Sequence, residues 1–500
     1  MDVLQHLMDG FAAVLTLRIL LYALAGVVLG TLVGALPAFG PAAGIALLLP
    51  LVFIIPPDGG LVMMGAIYYG NMYGNTISSV LINMPGDAAA VMTCIDGNMM
   101  MKKGRAGVAL GMAAIASFIA GTFSNIALTF LGPGLAAIAV EFGPAEYFSV
   151  VLVGLAAVAA LTGKSPEKGC LMAVLGFMLS LIGLDSVSYQ HRLTFGFVSL
   201  MDGIGFNSAI VGMFGLAQVF INLENPVFET ISSRGFWLRD VWPTWKDWQD
   251  SWKAIIRGTV IGFPVGVLPG AGAAIATFLA YAYQKKHSHH PEEMGKGAID
   301  GVAAPEAANN AAAVGAFVPM LSLGVPGSNT TAVLLAALIM WGLQPGPLLF
   351  KQHPEVLWPF VASMYVGNIL LVIINMGVIP VFVWMLNVSQ RYINAFVGVF
   401  AIVGVYCVNY DAFDVWLMMI FGVLGYIFEK LDYPVPPFIL AFVLGPIAEE
   451  SLQRALAISG GSLSIFVTRP ISAGLLAVVT FMIVWKPLTG YIRRRSEGRG

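Results

Sequence analysis

The sequence predicts an all-α polytopic membrane protein. About ten to twelve transmembrane segments are expected, in two related halves read as inverted repeats with broken or re-entrant helices. Three observations carry this. The 500 residues are 58% hydrophobic and only 10% charged, with a mean hydropathy of +0.84; a soluble surface of that size needs far more charge. A run of glycines at every fourth position, Gly258, Gly262 and Gly266, leads into Leu268-Pro269 and Gly272, and the same skeleton occurs at Gly26, Gly30, Gly34, Leu36-Pro37 and Gly40 at a constant offset (269 − 37 = 232). A second pair of breaks, Pro85-Gly86 and Pro326-Gly327, corresponds at its own offset (326 − 85 = 241), which Gly74 and Gly315 share. Spaced glycines let helices approach closely in lipid, and a Pro-Gly break frees backbone groups from helical pairing.

Other function classes find little support. The net charge of −2 sits almost entirely in loops, and no basic arm points to nucleic acid. Cys94, Cys170 and Cys407 are scattered singly in apolar surroundings, which suits buried small residues better than a disulfide framework or a zinc site. Residues 1–10 hold Asp2 and Asp9 and no Lys or Arg, and the apolar run that follows is too long for a signal-peptide core, so the first span is expected to be retained. Arg493, Arg494, Arg495 and Arg499 follow the last apolar run and predict a cytoplasmic C-terminus.

Along the chain, residues 11–36 are long enough to cross once. Pro37, Pro41 and Pro50 interrupt the next apolar stretch, so a re-entrant or broken segment is expected there. Residues 61–84 form an unusually polar span and 88–101 a short apolar one closing on Lys102, Lys103 and Arg105. Spans follow near 108–131, 147–161 and 170–184, with a less regular one at 195–221. Residues 232–257 hold half of the ten tryptophans; Trp245, Trp248, Trp252 and Ile255 share one helical face, which predicts a helix in the bilayer interface or one packed on another subunit. The domains expected are thus a first half at 1–231, this linker at 232–257, a second half at 258–487 and a basic tail at 488–500. In the second half His287, His289 and His290 read as a solvated loop. Further spans are expected at 356–386, 395–407, 415–428 and 463–485, with 438–444 as half a span.

Two matched interrupted segments are the sequence mark of a transporter's binding site. A broken helix exposes N–H groups at one tip, which attract an anion, and C=O groups at the other, which can coordinate a cation.

Four stretches together, YYGNMYGNTISSVLINMPGDAAAVMTCIDG (68–97), GVLPGAGAAIATFLAY (266–281), GKGAIDGVAAPEAANNAAA (295–313) and LSLGVPGSNTTAV (321–333), resemble the large membrane subunit of the tripartite tricarboxylate transporters. The resemblance covers most of the chain. It implies a bacterial inner-membrane secondary transporter that takes up di- or tricarboxylates with an ion gradient. It also implies two partners, a small membrane subunit and a periplasmic solute-binding protein. No cofactor is expected beyond a coupling ion, Na⁺ or H⁺. The residues after Pro85-Gly86 read Asp-Ala-Ala-Ala, poorer in hydroxyls than the family pattern, so a citrate specificity is not carried over.

The candidate substrate ligands are Asn75, Thr76, Ser78, Ser79, Asn83, Pro85 and Gly86 around the first Pro-Gly break, and Gly327, Ser328, Asn329 and Thr330 around the second. Their structural alternatives are interhelical hydrogen bonding for the first group and helix N-capping for the second. Glu306 is the sharpest candidate for cation coupling, because a carboxylate in an apolar run is costly; the alternative is a water-facing first helical turn at Pro305-Glu306. Asn309 and Asn310 share its turn, and Asp87 is a further candidate. Pro37, Gly40, Pro269, Gly270 and Gly272 are expected to shape the backbone, and any bound metal would be Na⁺. Gly163-Lys164-Ser165 is no phosphate loop, since position 158 is Val where that motif needs Gly. An intramembrane enzyme built on Asp87, Asp96 and Ser78 lacks any catalytic signature. A cation/proton antiporter or a channel would use the same broken helices and acidic ligand, and stays open at this level.

Overall fold

The computed structural model describes residues 3–36, 39–83, 85–139, 142–161, 165–185, 190–224, 241–269, 272–386 and 390–482. Pro37, Gly270, Trp237, the Gly163-Lys164 pair and the basic tail lie outside these residues.

Helices α1 (Val3–Val14) and α2 (Leu17–Gly34) divide the single span expected at 11–36. The break falls at Leu15-Thr16, where the Thr16 hydroxyl donates to the Ala13 carbonyl at 2.7 Å and ends the first helix. Gly40, in extended conformation, starts α3 (Pro41–Phe53), whose first residue is the proline that needs no N–H partner. The polar span is α4 (Pro57–Ile82), and a 3₁₀ turn at Ala88–Ala90 leads into α5 (Val91–Lys102) and the long α6 (Ala106–Ala139). Then come α7 (Pro144–Leu161), α8 (Pro166–Ser180) and a two-residue antiparallel ladder, β1 (Gly183–Leu184) with β2 (His191–Arg192). The irregular span resolves into α9 (Phe206–Ile210) and α10 (Ala217–Glu224) joined by a π-helical turn over Val211–Leu216.

The tryptophan-rich segment is not a separate linker helix. Helix α11 (Trp245–Val267) runs without a break through residue 257 into the glycine run. Its buried stripe is Asp247, Ser251, Ala254, Ile255, Gly258, Gly262 and Gly266, while Trp245 and Trp252 face outward. Thr244 and Asp247 form a capping box at its start. Burial pushes the Asp247 carboxyl up, but the Arg105 guanidinium at 2.6 Å and the Thr244 donors hold it below its ordinary value.

The chain continues with α12 (Gly272–His287), α13 (Asp300–Gly315), α14 (Phe317–Leu323), α15 (Asn329–Met340), α16 (Pro347–Gln352) and α17 (Pro354–Leu386). His287, His289 and His290 are exposed after α12. Helices α18 (Gln390–Asn409), α19 (Ala412–Lys430), α20 (Val435–Ile458), α21 (Ile465–Thr468) and α22 (Pro470–Met482) complete the described chain. The half-span expected at 438–444 lies in the N-terminal half of the 24-residue α20, because Pro446 sits inside that helix without ending it.

Among the described residues five helices are long and apolar enough to cross a membrane: α2, α6 over Ala106–Ala137, α17 over Pro354–Gly377, α19 and α20. Shorter apolar helices, α3 and α15 among them, accompany these.

The chain divides into two compact units, Met1–Ala137 with Asn207–Tyr426, and Ile138–Phe206 with Ile427–Gly500. In the smaller unit Gly176 of α8 packs on the Phe438 backbone of α20, Arg192 clamps Glu449 at 2.6 and 2.9 Å, and Arg469 holds Glu146 at 3.0 Å.

The larger unit is built on the glycine runs. A Cβ at Gly30 would lie 2.4 Å from the Ile67 carbonyl oxygen, and one at Gly262 would lie 2.5 Å from that of Ala308. Backbone meets backbone there, so α2 lies against α4 and α11 against α13 at a distance only glycine permits. These contacts obey both offsets read from the sequence (262 − 30 = 232, 308 − 67 = 241). Other pairs match too. Gly74 abuts Thr31 as Gly315 abuts Phe263, and Gly86 abuts Asn75 as Gly327 abuts Ala316. Asn83 and Gly324, again 241 apart, both take the left-handed conformation that ends their helices, with φ of 55° and 72°.

Candidate functional site

The polar residues converge where α4 and α5 meet α13. Glu306 is fully buried in the second turn of α13, so the water-facing first turn allowed by its Pro305-Glu306 context does not occur. Two hydroxyls donate to its carboxylate: Thr76 of α4 to Oε2 at 2.8 Å and Thr93 of α5 to Oε1 at 2.5 Å. Among the described residues no cationic side chain pairs with it. A carboxylate held only by neutral donors in an apolar bundle is costly unless a proton or cation joins it.

Around this group lie amides with unused capacity. Asn309, one turn along α13, is buried with neither its Oδ1 nor its Nδ2 partnered, and the same is true of Asn75 on α4. Buried amides are almost always hydrogen-bonded, so the orphaned Asn309 one turn from Glu306, and the orphaned Asn75 next in sequence to its partner Thr76, mark places where something polar can bind. Asn310 is different: its Nδ2 donates to Ser117 Oγ at 2.7 Å and to the Glu306 carbonyl at 3.2 Å, which ties α13 to α6.

The remaining candidates divide by what their polar atoms do. Ser78 and Ser79 both donate back to the Asn75 carbonyl, at 3.1 and 2.8 Å, so their hydroxyls serve the helix itself. Asn83 caps α4, with its N–H returned to the Ser78 carbonyl. Asp87 caps the 3₁₀ turn through a 2.6 Å bond from Ala88 N and lies beside Gly40. Pro85 and the buried Gly86 carry the chain past Asn75, and a Cβ at Gly86 would fall 2.0 Å from Asn75 Oδ1. Pro269 follows the end of α11, and Gly272, at φ +64°, opens α12.

At the second break Ser328 and Thr331 form a capping box, leaving the N–H groups of the exposed Asn329 and the buried Thr330 at the tip of α15. Tyr68 of α4 reaches this tip, its hydroxyl 3.3 Å from Ser328 Oγ. A side chain at Gly327 would meet the Ala316 Cα at 2.6 Å, so Gly327→Val is expected to displace the α15 tip and reduce transport at least tenfold, about 1.4 kcal/mol. Uptake kinetics of that variant at matched membrane levels check this.

Thr93 and Ser117 escape a reading of the sequence, since each is a lone hydroxyl among apolar neighbours, and Tyr68 escapes it because an aromatic in a span reads as core. Asp96 is an anchor: its Oδ1 accepts from the backbone N–H of Gly295, Gly297 and Ala298 at 2.8 to 2.9 Å, and its Oδ2 from Tyr281 at 2.8 Å. It thereby fixes the loop that leads into α13.

Comparison with known proteins agrees with this architecture. The chain is 42% identical over 497 residues, 99% of both chains, to a protein of Agrobacterium vitis described as an "Uncharacterized 52.8 kDa protein in TAR-I ttuC' 3'region". It is 41% identical over 236 residues to a second Agrobacterium vitis protein, from the TAR-II ttuC' 3' region, covering 47% of this chain and 98% of the relative. No solved structure matches. The model of the tripartite tricarboxylate transporter TctA family matches residues 20–440. The chain therefore belongs to the TctA family and is a tricarboxylate transporter subunit.

Proposed function

We propose that this subunit takes up di- or tricarboxylates across the bacterial inner membrane, driven by a cation gradient. In this reading it works with a small membrane subunit and receives substrate from a periplasmic solute-binding protein, with its C-terminus in the cytoplasm. The observation that carries the proposal is Glu306, buried between the Thr76 and Thr93 hydroxyls, with the unpartnered amide of Asn309 one turn along its helix and that of Asn75 next in sequence to Thr76.

The chemistry follows from that geometry. A proton or Na⁺ joining Glu306 neutralises the buried charge and lowers the cost of admitting an anion nearby. The substrate carboxylates meet the free N–H groups at the α15 tip, with Ser328, Asn329 and Thr330 beside them, and the Asn75 amide across from Gly86. Direct contact by Ser78, Ser79 and Asp87 is not part of the proposal, because their side-chain oxygens serve helix ends and backbone. The paired contacts at Gly30 and Gly262 support two related halves, 1–231 and 258–487, each supplying one break.

Uptake of labelled tricarboxylate into vesicles holding both membrane subunits tests this. Accumulation is expected only with an inward cation gradient, and to rise at least tenfold, about 1.4 kcal/mol, when the binding protein is added. Cation flux without carboxylate movement would assign the chain instead as an antiporter or channel.

A further inference from the structure

The break after α4 leaves α5 only 12 residues long. Its buried face carries three polar side chains, Thr93, Asp96 and Asn98, so apolar packing alone does not fix how it turns. Hydrogen bonds do. Asn98 Nδ2 donates to the Val80 carbonyl at 3.1 Å and ties α5 back to α4. Thr93 reaches Glu306. Asp96, fully buried, takes the backbone N–H groups of Gly295, Gly297 and Ala298 on Oδ1 and the Tyr281 hydroxyl on Oδ2. Hydrogen bonds to a carboxylate are roughly twice as strong as neutral ones, so this is the firmest hold on the helix. Gly301 leaves room for it, since a Cβ there would lie 2.2 Å from Asp96 Oδ2. Among the described residues the bonds of Asp96 go to α12 and to the loop before α13, none of them to Glu306.

We infer that Asp96 is a positioning residue for the Glu306 site and acts through Thr93. The two residues are three apart, so they project from one face of α5. They meet the α13 region at two places: Asp96 at Ala298, just before the helix starts, and Thr93 at Glu306 in its second turn. Two such contacts set both the rotation and the height of α5 against α13, where one alone would leave a pivot. The Thr93 bond, at 2.5 Å, tolerates little movement. A slide of one residue rise, about 1.5 Å, would carry the hydroxyl out of hydrogen-bonding range. Loss of the Asp96 carboxylate would orphan three backbone N–H groups, free α5 to shift and leave Glu306 Oε1 without its donor. The inference deepens the proposed function: what Glu306 does in transport rests on that reading, while the geometry that holds it does not.

The test reads the Glu306 carboxyl directly. In purified full-length protein in lipid nanodiscs, its infrared band is assigned as the one lost in Glu306→Gln. Thr93→Val removes the Oε1 donor and moves that band. Asp96→Ala is expected to move it in the same direction and by a similar amount, with no further movement when the two changes are combined. Asp96→Asn keeps an oxygen for the loop N–H groups and gains an N–H that the Tyr281 hydroxyl can accept, so the band is expected to stay in place. Where Asp96→Ala does not fold, Gly301→Ala crowds Oδ2 and is expected to give the same movement. An unmoved band in Asp96→Ala, or in Gly301→Ala where it stands in, would overturn the inference, as would a movement that adds to that of Thr93→Val. In vesicles, Asp96→Ala is expected to shift the sodium or proton concentration for half-maximal tricarboxylate uptake about tenfold, with KM at saturating cation near its wild-type value. An equal change in both would make Asp96 a general packing residue and overturn the inference too. Failure of the wild type to take up tricarboxylate would defeat the uptake reading and leave the band comparison standing.

Discussion

Glu306→Gln is expected to abolish gradient-driven accumulation of carboxylate while the protein still inserts and folds. The substitution keeps the shape and accepts from one of Thr76 and Thr93, which hold the carboxylate at 2.8 and 2.5 Å, while the other hydroxyl turns to accept from the new amide N–H. What it removes is the charge that a proton or Na⁺ would neutralise. If that ion contributes on the order of 3 kcal/mol to the loaded state, uptake falls by about two orders of magnitude. Binding of tricarboxylate at saturating cation is expected to lose its cation dependence, because the amide presents the same neutral face at every cation concentration. The measurement is uptake against gradient size in vesicles, with membrane insertion checked by extraction and size exclusion. Normal cation-dependent uptake by the variant would remove Glu306 from the coupling role.

Gly262→Val is expected to destabilise the protein strongly. A Cβ at Gly262 would sit 2.5 Å from the Ala308 carbonyl oxygen and 2.6 Å from its Cα. Those are backbone atoms of α13, so no side chain can rotate away and the helices must separate. Overpacking of this kind costs about 1–3 kcal/mol where a core can adjust, and more where two backbones are in contact. Separation would also carry Glu306 and Asn309 away from Thr76 and Thr93, so any protein that survives should transport poorly. Gly398→Ala is the control, since a Cβ there meets nothing within 4 Å. Thermal unfolding in detergent, followed by the monomer peak, reads both variants; an unchanged midpoint for Gly262→Val would show that the contact is dispensable.

The parts of this protein legible in the sequence are those that depend on spacing. Glycines four apart lie on one helical face, and a Pro-Gly pair interrupts a helix wherever it occurs, so both could be read without coordinates. The glycine stripe is found at Gly258, Gly262 and Gly266 of α11, and the left-handed helix ends at Asn83 and Gly324 precede the two Pro-Gly breaks. Where local capping competes with length, spacing misleads. The span expected over 11–36 is two helices because one hydroxyl, Thr16, turns back on its own chain. The half-span at 438–444 is part of a full helix because a proline can sit inside a packed helix when its neighbours hold it.

Residue type alone marked Glu306, Asn75 and Asn309, since a carboxylate or an amide in an apolar helix costs energy unless it is used. It could not separate them from Ser78 and Ser79, which stand just as close to the break but return their hydroxyls to their own helix. Nor could it supply the partners of Glu306. Thr76 and Thr93 lie 230 and 213 residues away in sequence, and a hydrogen bond over that separation exists only once α4 and α5 are packed on α13. Composition and periodicity thus determined the membrane character, the breaks and the glycine faces that permit close helix contact, all of which follow from residues near one another in sequence. The tertiary structure decided which polar groups remain unpaired, because that depends on what the rest of the chain brings within 3 Å.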